Sequence, residues 1–224
     1  MLSPVVRPPG LVTGERLTVE EFLRRWGVLP DSKNAELIDG VVYVPSPVSL
    51  EHSELDTLIH LWLAYYAQAT PGCRAGNNST WLMLGSAPQP DAHLRILPSH
   101  GGQSGSEKSL GAGAPELAVE ISVTSTELDF GPKMRLYQRA GVREYITVEP
   151  SDQRIVWRVI ENGAYVAQAL PPDGIVRSRV FPGLWLDVAA FWANDAAKML
   201  AALNAGLASE DHRQFVERLG ATST

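Results

Sequence analysis

The chain has 224 residues, of which 45% are hydrophobic and 20% are charged, and its formal net charge at pH 7 is −6. A chain of this size can bury one sizeable core, and its single cysteine, Cys73, excludes a disulfide framework and a cysteine-rich zinc site. The acidic balance argues against a protein that coats nucleic acid through bulk positive charge, but it does not exclude a nuclease, because a bound cation reverses the local charge of an acidic site.

The first part of the chain predicts an arm, a helix and a hairpin. Residues 1–16 are punctuated by proline and glycine and are expected to form a flexible arm, followed by a single folded domain over residues 17–207. The capping box from Thr18 to Glu21 predicts a short helix. The Asp39-Gly40 pair between two β-rich runs predicts a type I′ hairpin.

A long helix, several strands and further helices are predicted to follow. Apolar periodicity predicts a helix over residues 49–69, and Pro132 predicts the first turn of another that ends at Gly141. Strands are predicted over residues 79–84, 91–97, 116–123, 143–148, 154–160 and 164–170. A helix over residues 187–207 precedes a polar tail, 208–224, that could form a short, weakly docked helix.

Residues 99–114 are rich in glycine and serine and lack apolar periodicity, which predicts a flexible surface loop. A phosphate-binding loop is the alternative explanation of these glycines. No Gly-Lys-Ser/Thr signature follows, however, and no helix is predicted to begin there.

Two acidic residues lie in predicted strands, where a charge is costly to bury. Asp91 opens one strand, and Glu120 lies inside the apolar run from Leu117 to Ile121. A carboxylate in such a run must be paired, hydrogen-bonded or bound to a cation. With Lys133 on the following helix, the two carboxylates form a minimal set for metal-assisted phosphodiester cleavage.

Each of these three residues also has a structural explanation. Asp91 could be a turn residue before its strand, and Glu120 could face solvent. Lys133 could be a solvated lysine that pairs with Asp129 four residues earlier. Glu120 shares its strand face with small side chains only, however, which leaves room for an ion and a phosphate.

Several short motifs follow one another along the chain: Glu36-Leu-Ile-Asp-Gly40, Glu51-His52, Pro90-Asp91, Glu116 to Ser122, Lys133 with Tyr137, and Gly141 to Tyr145. In this order they resemble the Uma-type putative restriction endonuclease family of the PD-(D/E)XK nuclease superfamily. The resemblance covers residues 17–192. It implies an α/β, restriction-endonuclease-like fold, in which helices flank a central mixed β-sheet, and a metal-dependent nuclease activity.

The resemblance also implies roles for single residues. Asp91 and Glu120 would ligate a divalent cation, and the main-chain carbonyl of Ile121 would add a ligand. Lys133 would orient or activate the attacking water, because Ser122 stands where the superfamily usually has its lysine. A further acidic residue of the family, at the rim of the metal site, would correspond to Glu36.

Histidines are weaker candidates for this rim. His52 belongs to the matched Glu-His pair, and His93 shares a strand face with Asp91, although an exposed histidine near a loop is the simpler explanation of His93. His52, Asp56 and His60 are spaced four residues apart on the long helix. The two ends of this set are about 12 Å apart, too far to bind one ion, so we expect a solvated face.

The hypothesis is a Mg²⁺- or Mn²⁺-dependent endonuclease that hydrolyses phosphodiester bonds of DNA, since hard oxygen ligands favour these ions over zinc. A homodimer is expected because cutting both strands of a duplex needs two sites. The alternative is a catalytically inactive protein of the same fold that binds nucleic acid or protein through an exposed apolar patch of Trp185, Phe191 and Trp192.

The sequence shows no signal peptide and no apolar run of the ~20 residues that a membrane span requires. We therefore expect a cytoplasmic protein without a membrane partner.

Overall fold

A six-stranded mixed β-sheet forms the centre of this computed structural model, which describes residues 9–27 and 34–222. In chain order the strands are β1 (Glu36–Ile38), β2 (Val41–Tyr43), β3 (Cys73–Asn77), β4 (Trp81–Leu82), β5 (Ala92–Ile96), β6 (Gly105–Glu107), β7 (Leu110–Ala112), β8 (Leu117–Ile121), β9 (Glu144–Glu149), β10 (Arg154–Glu161), β11 (Ala164–Ala167), β12 (Ile175–Arg177) and β13 (Trp185–Asp187). The helices are α1 (Val19–Trp26), α2 (Leu50–Ala69), α3 (Thr126–Leu128), α4 (Met134–Ala140), α5 (Val188–Trp192), α6 (Ala196–Leu207) and α7 (Glu210–Thr222).

The central sheet has the strand order β11, β10, β9, β8, β5, β3. β8 and β9 are parallel, whereas the other neighbouring pairs are antiparallel. A parallel pair needs a crossover connection, and here the segment that contains α3 and α4 provides it. This connection carries α4 across one face of the sheet, where it packs on Ala118 and Tyr145.

The two faces of the sheet bury different side chains because strand residues alternate in direction. On one face, Leu117, Val119 and Ile121 of β8 join the main core with α2 and the C-terminal helices. On the opposite face, Ala118 packs against α4 in a smaller core. Glu120 is two residues further along β8, so it lies on the α4 face of the sheet.

The structure confirms the predicted first helix and hairpin. The Thr18 hydroxyl accepts the backbone N–H of Glu21 at 3.3 Å and so caps α1. Asp39 and Gly40 have φ values of 50° and 77°, as a type I′ turn requires. β1 and β2 form a separate two-stranded sheet, and Ile38 of β1 belongs to the core under α4.

The segment at residues 99–114, predicted to be a flexible surface loop, contains two short strands of a three-stranded sheet. β6 pairs antiparallel with β7, and β7 pairs parallel with β4. A Cβ atom on Gly111 would lie 2.3 Å from Cδ2 of Trp81. At this position glycine therefore permits close packing against a tryptophan rather than flexibility.

The N-terminal arm also differs from the prediction. Residues 1–8 lie outside the described residues, but the backbone N–H of Gly14 donates to the Val42 carbonyl at 2.9 Å, so the end of the predicted arm lies along β2. The single domain over residues 17–207 stays a prediction.

The C-terminal region is more helical than predicted, and its helices begin and end at other residues than expected. The helix expected over residues 187–207 is divided into α5 and α6, because Asn194 adopts a positive φ of 52° and the Asp195 side chain caps α6. The polar tail forms α7, and its Phe215 lies in the main core. The tail is thus a docked helix rather than a weakly attached one.

Besides β6 and β7, three strands lack a strand prediction, namely β3, β12 and β13, because their sequences do not alternate clearly between apolar and polar residues. The exposed apolar patch expected for a binding module is also wrong. Phe191 is 1% exposed, and the Arg177 guanidinium covers the ring of Trp185 at 4.6 Å.

Over the described residues, no helix is both long and apolar enough to cross a membrane.

Candidate active site

Asp91, which directly precedes β5, lies beside Glu120 of the neighbouring strand β8. β5 and β8 pair antiparallel with Ala92 opposite Val119, and continuing this register by one residue sets Asp91 opposite Glu120. The backbone N–H of Ile121 donates to Oδ2 of Asp91 at 2.7 Å. This bond fixes the Asp91 carboxylate against β8, so two acids from separate motifs meet at one place on the sheet.

Glu120 is buried and held by two donors. Its Oε1 accepts the Tyr137 hydroxyl at 2.8 Å and lies 2.8 Å from Nζ of Lys133. Burial raises the pKa of Glu120 well above its usual value, and Asp129 adds to the rise while Lys133 opposes it. The residue is 2% exposed, so the solvent-facing explanation of Glu120 is wrong.

Lys133 is buried between acids rather than solvated. Its Nζ lies 3.0 Å from Oε2 of Glu36 and 3.8 Å from Oδ1 of Asp129, in addition to the contact with Glu120. Burial alone lowers the pKa of this ammonium group, but Glu120, Glu36 and Asp129 together raise it well above its usual value. Lys133 therefore stays protonated and acts as a hydrogen-bond donor.

An irregular helical turn positions Lys133. The prediction placed Pro132 in the first turn, whereas the helical segment begins with α3 and is π-helical over Asp129–Lys133. Pro132 has no backbone N–H to donate, and π-helical turns are frequent at functional sites. Since Asp129, Lys133 and Tyr137 follow at intervals of four residues, all three face the acids.

Glu36 reaches the site from β1 and is 9% exposed. Its Oε2 accepts the backbone N–H of Gln89 at 2.8 Å, and its Oε1 accepts from Nζ of Lys133 at 3.1 Å. Burial raises the pKa of Glu36, whereas Lys133 lowers it. The hairpin therefore brings Glu36 to the lysine as a second counter-ion.

Asp129 is a residue of the site that the sequence analysis considered only as the partner of a solvated lysine. Its Oδ2 accepts hydrogen bonds from the hydroxyls of Ser122 and Ser125. Its Oδ1 is buried without a hydrogen-bond partner among the described residues, although Lys133 is near. The four-residue spacing around Lys133 is the sequence signal that could have identified both Asp129 and Tyr137.

Two histidines of α2 contact Asp91. Nε2 of His52 lies 3.4 Å from Oδ2 of Asp91, and Nε2 of His60 lies 3.1 Å from its backbone oxygen. A hydrogen bond to Asp91 raises the pKa of His52. This face of α2 is therefore partly buried against the site rather than fully solvated, and His52 lies at the rim of the acidic cluster.

His93 lies on the same sheet face as Asp91 but packs away from the acids. Its ring stands edge-on to that of Trp81, with ring centroids 4.9 Å apart, and the residue is 5% exposed. Burial lowers its pKa to about 4. The exposed-histidine explanation is wrong, and His93 is a neutral core residue at neutral pH.

The donor set around Asp91 and Glu120 fits a hard divalent cation. Oδ1 of Asp91 and Oε2 of Glu120 accept no hydrogen bond from any described residue. The Ile121 carbonyl accepts the Val123 N–H at 3.1 Å, and a carbonyl oxygen has two lone pairs. Mg²⁺ typically binds through one or two carboxylates and keeps several waters, so this set is sufficient.

Acidic groups outnumber basic groups in this cluster. Four carboxyl groups, those of Asp91, Glu120, Glu36 and Asp129, surround one ammonium group. Among the described residues, no group of three or more His, Cys, Asp or Glu side chains is arranged to hold a metal ion. The Lys133 ammonium lies between Glu36 and Glu120, which leaves Asp91 and Glu120 as the pair able to receive a second cation.

Comparisons with known proteins agree with this fold. The model of the Uma2 family, described as putative restriction endonuclease, matches residues 19–189. A crystal structure of a putative nuclease belonging to DUF820 from Anabaena variabilis is similar to this chain, with 16% sequence identity and a TM-score of 0.63. The likeness covers 80% of this chain and 98% of that one, and it confirms the predicted α/β fold. No curated protein matches the chain.

Proposed function

The chain belongs to the Uma2 family of putative restriction endonucleases, and we propose that it is a Mg²⁺- or Mn²⁺-dependent endonuclease that hydrolyses phosphodiester bonds of DNA. The observation that carries the proposal is the pairing of Asp91 with Glu120 on neighbouring strands, beside the protonated Lys133. This group combines two hard anionic ligands with one buried hydrogen-bond donor. Such a combination suits phosphodiester hydrolysis better than acyl transfer, for which a nucleophile and an adjacent base would be needed.

Asp91 and Glu120 are proposed as the cation ligands, with the Ile121 carbonyl as a third. A bound divalent ion supplies a Lewis acid for the phosphoryl oxygens and lowers the pKa of a bound water. Support comes from the hydrogen bonds that orient the two side chains. Ile121 donates to one oxygen of Asp91 and Tyr137 donates to one oxygen of Glu120, so in each carboxylate the other oxygen is left for a ligand.

Lys133 is proposed to orient the attacking water and to stabilise the charge that develops on the phosphate. The direction of its pKa shift supports the role of donor, because a raised pKa keeps the ammonium protonated at neutral pH and prevents it from acting as a general base. Glu36 and Asp129 are proposed to hold the ammonium in place. His52 is proposed to steady the Asp91 carboxylate at the rim of the site.

The proposal includes a homodimer, because two sites would allow both strands of a duplex to be cut. Light scattering on the purified protein tests this part independently of the chemistry. A mass of twice 24.4 kDa supports it, and a monomeric mass at working concentrations contradicts it.

A cleavage assay tests the main proposal. Supercoiled plasmid, linear duplex and single-stranded DNA are each incubated with the protein in Mg²⁺, in Mn²⁺ and in chelator. We expect metal-dependent cleavage that is lost in Asp91→Asn and in Glu120→Gln and kept in Asp173→Asn, a matched change in an exposed ion pair. Failure of the wild type to cut any substrate, or cleavage by both site variants at the wild-type rate, would overturn the proposal.

A further inference from the structure

Arg158 on β10 is the buried arginine of the described part of the chain, with 9% exposure. Its Nη1 donates to Oγ1 of Thr147 at 2.9 Å, and its guanidinium stacks on two aromatic rings. No carboxylate of a described residue pairs with it. A guanidinium carries five N–H donors, and an unpaired buried charge is costly, so the arrangement requires an explanation.

Arg158 lies on the same face of the sheet as the acidic cluster. β9 lies between β8 and β10, and Thr147 of β9 is in register with Glu120 of β8. Thr147 is therefore one strand spacing, about 4.8 Å, from Glu120. The Arg158 guanidinium hydrogen-bonds to the hydroxyl of this threonine. It also packs on Tyr145, whose hydroxyl donates to the Asp129 carbonyl at 2.8 Å.

A second arginine, Arg154, and an aromatic ring, that of Phe130, lie next to Arg158. The guanidinium carbons of Arg154 and Arg158 lie 5.2 and 5.0 Å from the ring centroid of Phe130, which directly follows Asp129. Arg154 is more accessible, since half of its side chain is exposed, and its guanidinium pairs with the Glu149 carboxylate. Two positive groups are therefore concentrated beside a negative cluster in a chain whose overall charge is −6.

We propose that Arg158, Arg154 and Phe130 form a binding subsite for the polynucleotide backbone, in which the two arginines hold a phosphate next to the scissile one and Phe130 contacts the adjoining base or sugar. The proposal rests on the proposed nuclease function for its ligand. Planar guanidinium groups bind phosphate oxygens in pairs, and aromatic side chains offer a stacking surface for any base. Thr147 orients Arg158, and neither arginine takes part in the chemical step.

The competing explanation is that Arg158 only holds Phe130 and Tyr145 in place. The two explanations differ in how binding depends on salt. Each protein cation that neutralises a phosphate contributes about 0.9 to the slope of log K against log salt concentration on duplex DNA, and about 0.7 on a single strand. A purely structural arginine contributes nothing to this slope.

The test is fluorescence anisotropy with a labelled duplex and with its single strand, in chelator and over a series of salt concentrations. We expect Arg158→Gln and Arg154→Gln each to weaken binding and to lower the slope by about 0.9 on the duplex. Phe130→Leu should weaken binding to the single strand without changing the slope. Arg177→Gln is the matched control for Arg154→Gln, because each arginine stacks on an aromatic ring and pairs with an acid, but Arg177 packs on Trp185 rather than on Phe130; this variant should bind like the wild type.

Wild-type slopes in both Arg158→Gln and Arg154→Gln would overturn the subsite, as would failure of the wild type to bind either nucleic acid. Circular dichroism shows whether Arg158→Gln is folded; if it is not, the slope of Arg154→Gln decides the outcome, since that side chain is exposed. The binding assay needs no cleavage. Reduced slopes in the arginine variants of a protein that cuts nothing would therefore support the subsite and reject the nuclease. Cleavage by the wild type with unchanged slopes in the arginine variants would support the nuclease and reject the subsite.

Discussion

The Lys133 ammonium nitrogen lies 2.8 Å from Oε1 of Glu120, and both side chains are 3% exposed. A buried ion pair contributes little net stability, but removing one partner is costly because the other charge is left without a counter-ion. In this protein the same contact orients a proposed metal ligand. The energetics of the fold and the chemistry of the site therefore depend on one pair of residues.

Removal of Lys133 should destabilise the fold more than removal of the pair. We expect Lys133→Met to lower the free energy of unfolding by about 3–5 kcal/mol, because Glu120 and Glu36 lose their cation. Adding Glu120→Gln should recover part of this loss. Urea denaturation at neutral pH measures both effects. Lys198→Met, at a largely exposed lysine, should cost about 0–1 kcal/mol, and strict additivity of the two site changes would contradict the coupling.

Lys133 should also separate metal binding from catalysis. Its ammonium repels a second cation, so Lys133→Met, studied where it remains folded, should bind Mn²⁺ at least as tightly as the wild type. Cleavage should nevertheless be lost because no donor remains to orient the water. Calorimetric titration and the plasmid assay on one preparation measure the two properties. A variant that binds Mn²⁺ and still cleaves at the wild-type rate would remove Lys133 from the mechanism.

The buried thiol of Cys73 should make stability fall at alkaline pH. Burial raises its pKa from 9.0 to about 12, so above pH 9 the unfolded chain releases a proton that the folded chain keeps. Its contribution to stability is therefore complete below pH 9 and is lost as the pH rises toward 12. The difference in unfolding free energy between wild type and Cys73→Ala should shrink by roughly 1.4 kcal/mol per pH unit in this range. A difference independent of pH would contradict the burial.

Substitution of alanine for two helical glycines should change the stability of the protein in opposite directions. A Cβ on Gly206 of α6 would lie 2.2 Å from the Gly183 carbonyl oxygen, whereas a Cβ on Gly220 of α7 would meet open space. We expect Gly206→Ala to destabilise by about 1–3 kcal/mol through overpacking, and Gly220→Ala to stabilise by up to about 1 kcal/mol. Thermal unfolding measures both. Equal effects of the two substitutions would show that α6 does not pack closely on the Gly183 turn.

Local patterns predicted much of the fold. Thr18 with Glu21, and Asp39 with Gly40, determine backbone geometry within a few residues, and the structure confirms both predictions. The two strands within residues 99–114 were not predicted, because composition alone does not distinguish a glycine that packs against a distant tryptophan from a glycine in a flexible linker. The ordering of such a segment depends on contacts that are far apart in the sequence.

The candidate site was also predictable only where local sequence determines it, and not where distant contacts do. Burial cost identified Glu120 from its apolar neighbours alone, but nothing in its own strand indicated that Glu36, from a hairpin 84 positions earlier in the chain, would share the same ammonium. The sequence analysis considered Asp129 only as the partner of a solvated lysine, and only the fold shows that this lysine, Lys133, is buried. His93 was wrongly expected to be exposed, because period-two spacing gives the strand face but not the packing partner.

The measurement that tests the account most directly is calorimetric titration of Mn²⁺ into the wild type, Asp91→Asn and Glu120→Gln. In Asp91→Asn the amide oxygen can still accept the Ile121 N–H, so the fold around it should be kept while one anionic ligand is lost. We predict that the wild type binds the ion and that each variant binds it more than about tenfold more weakly, since even outer-shell changes typically cost about 10–100-fold. Glu161→Gln, at an exposed ion pair, should bind like the wild type. Wild-type affinity in both site variants would contradict the assignment of Asp91 and Glu120 as the metal ligands.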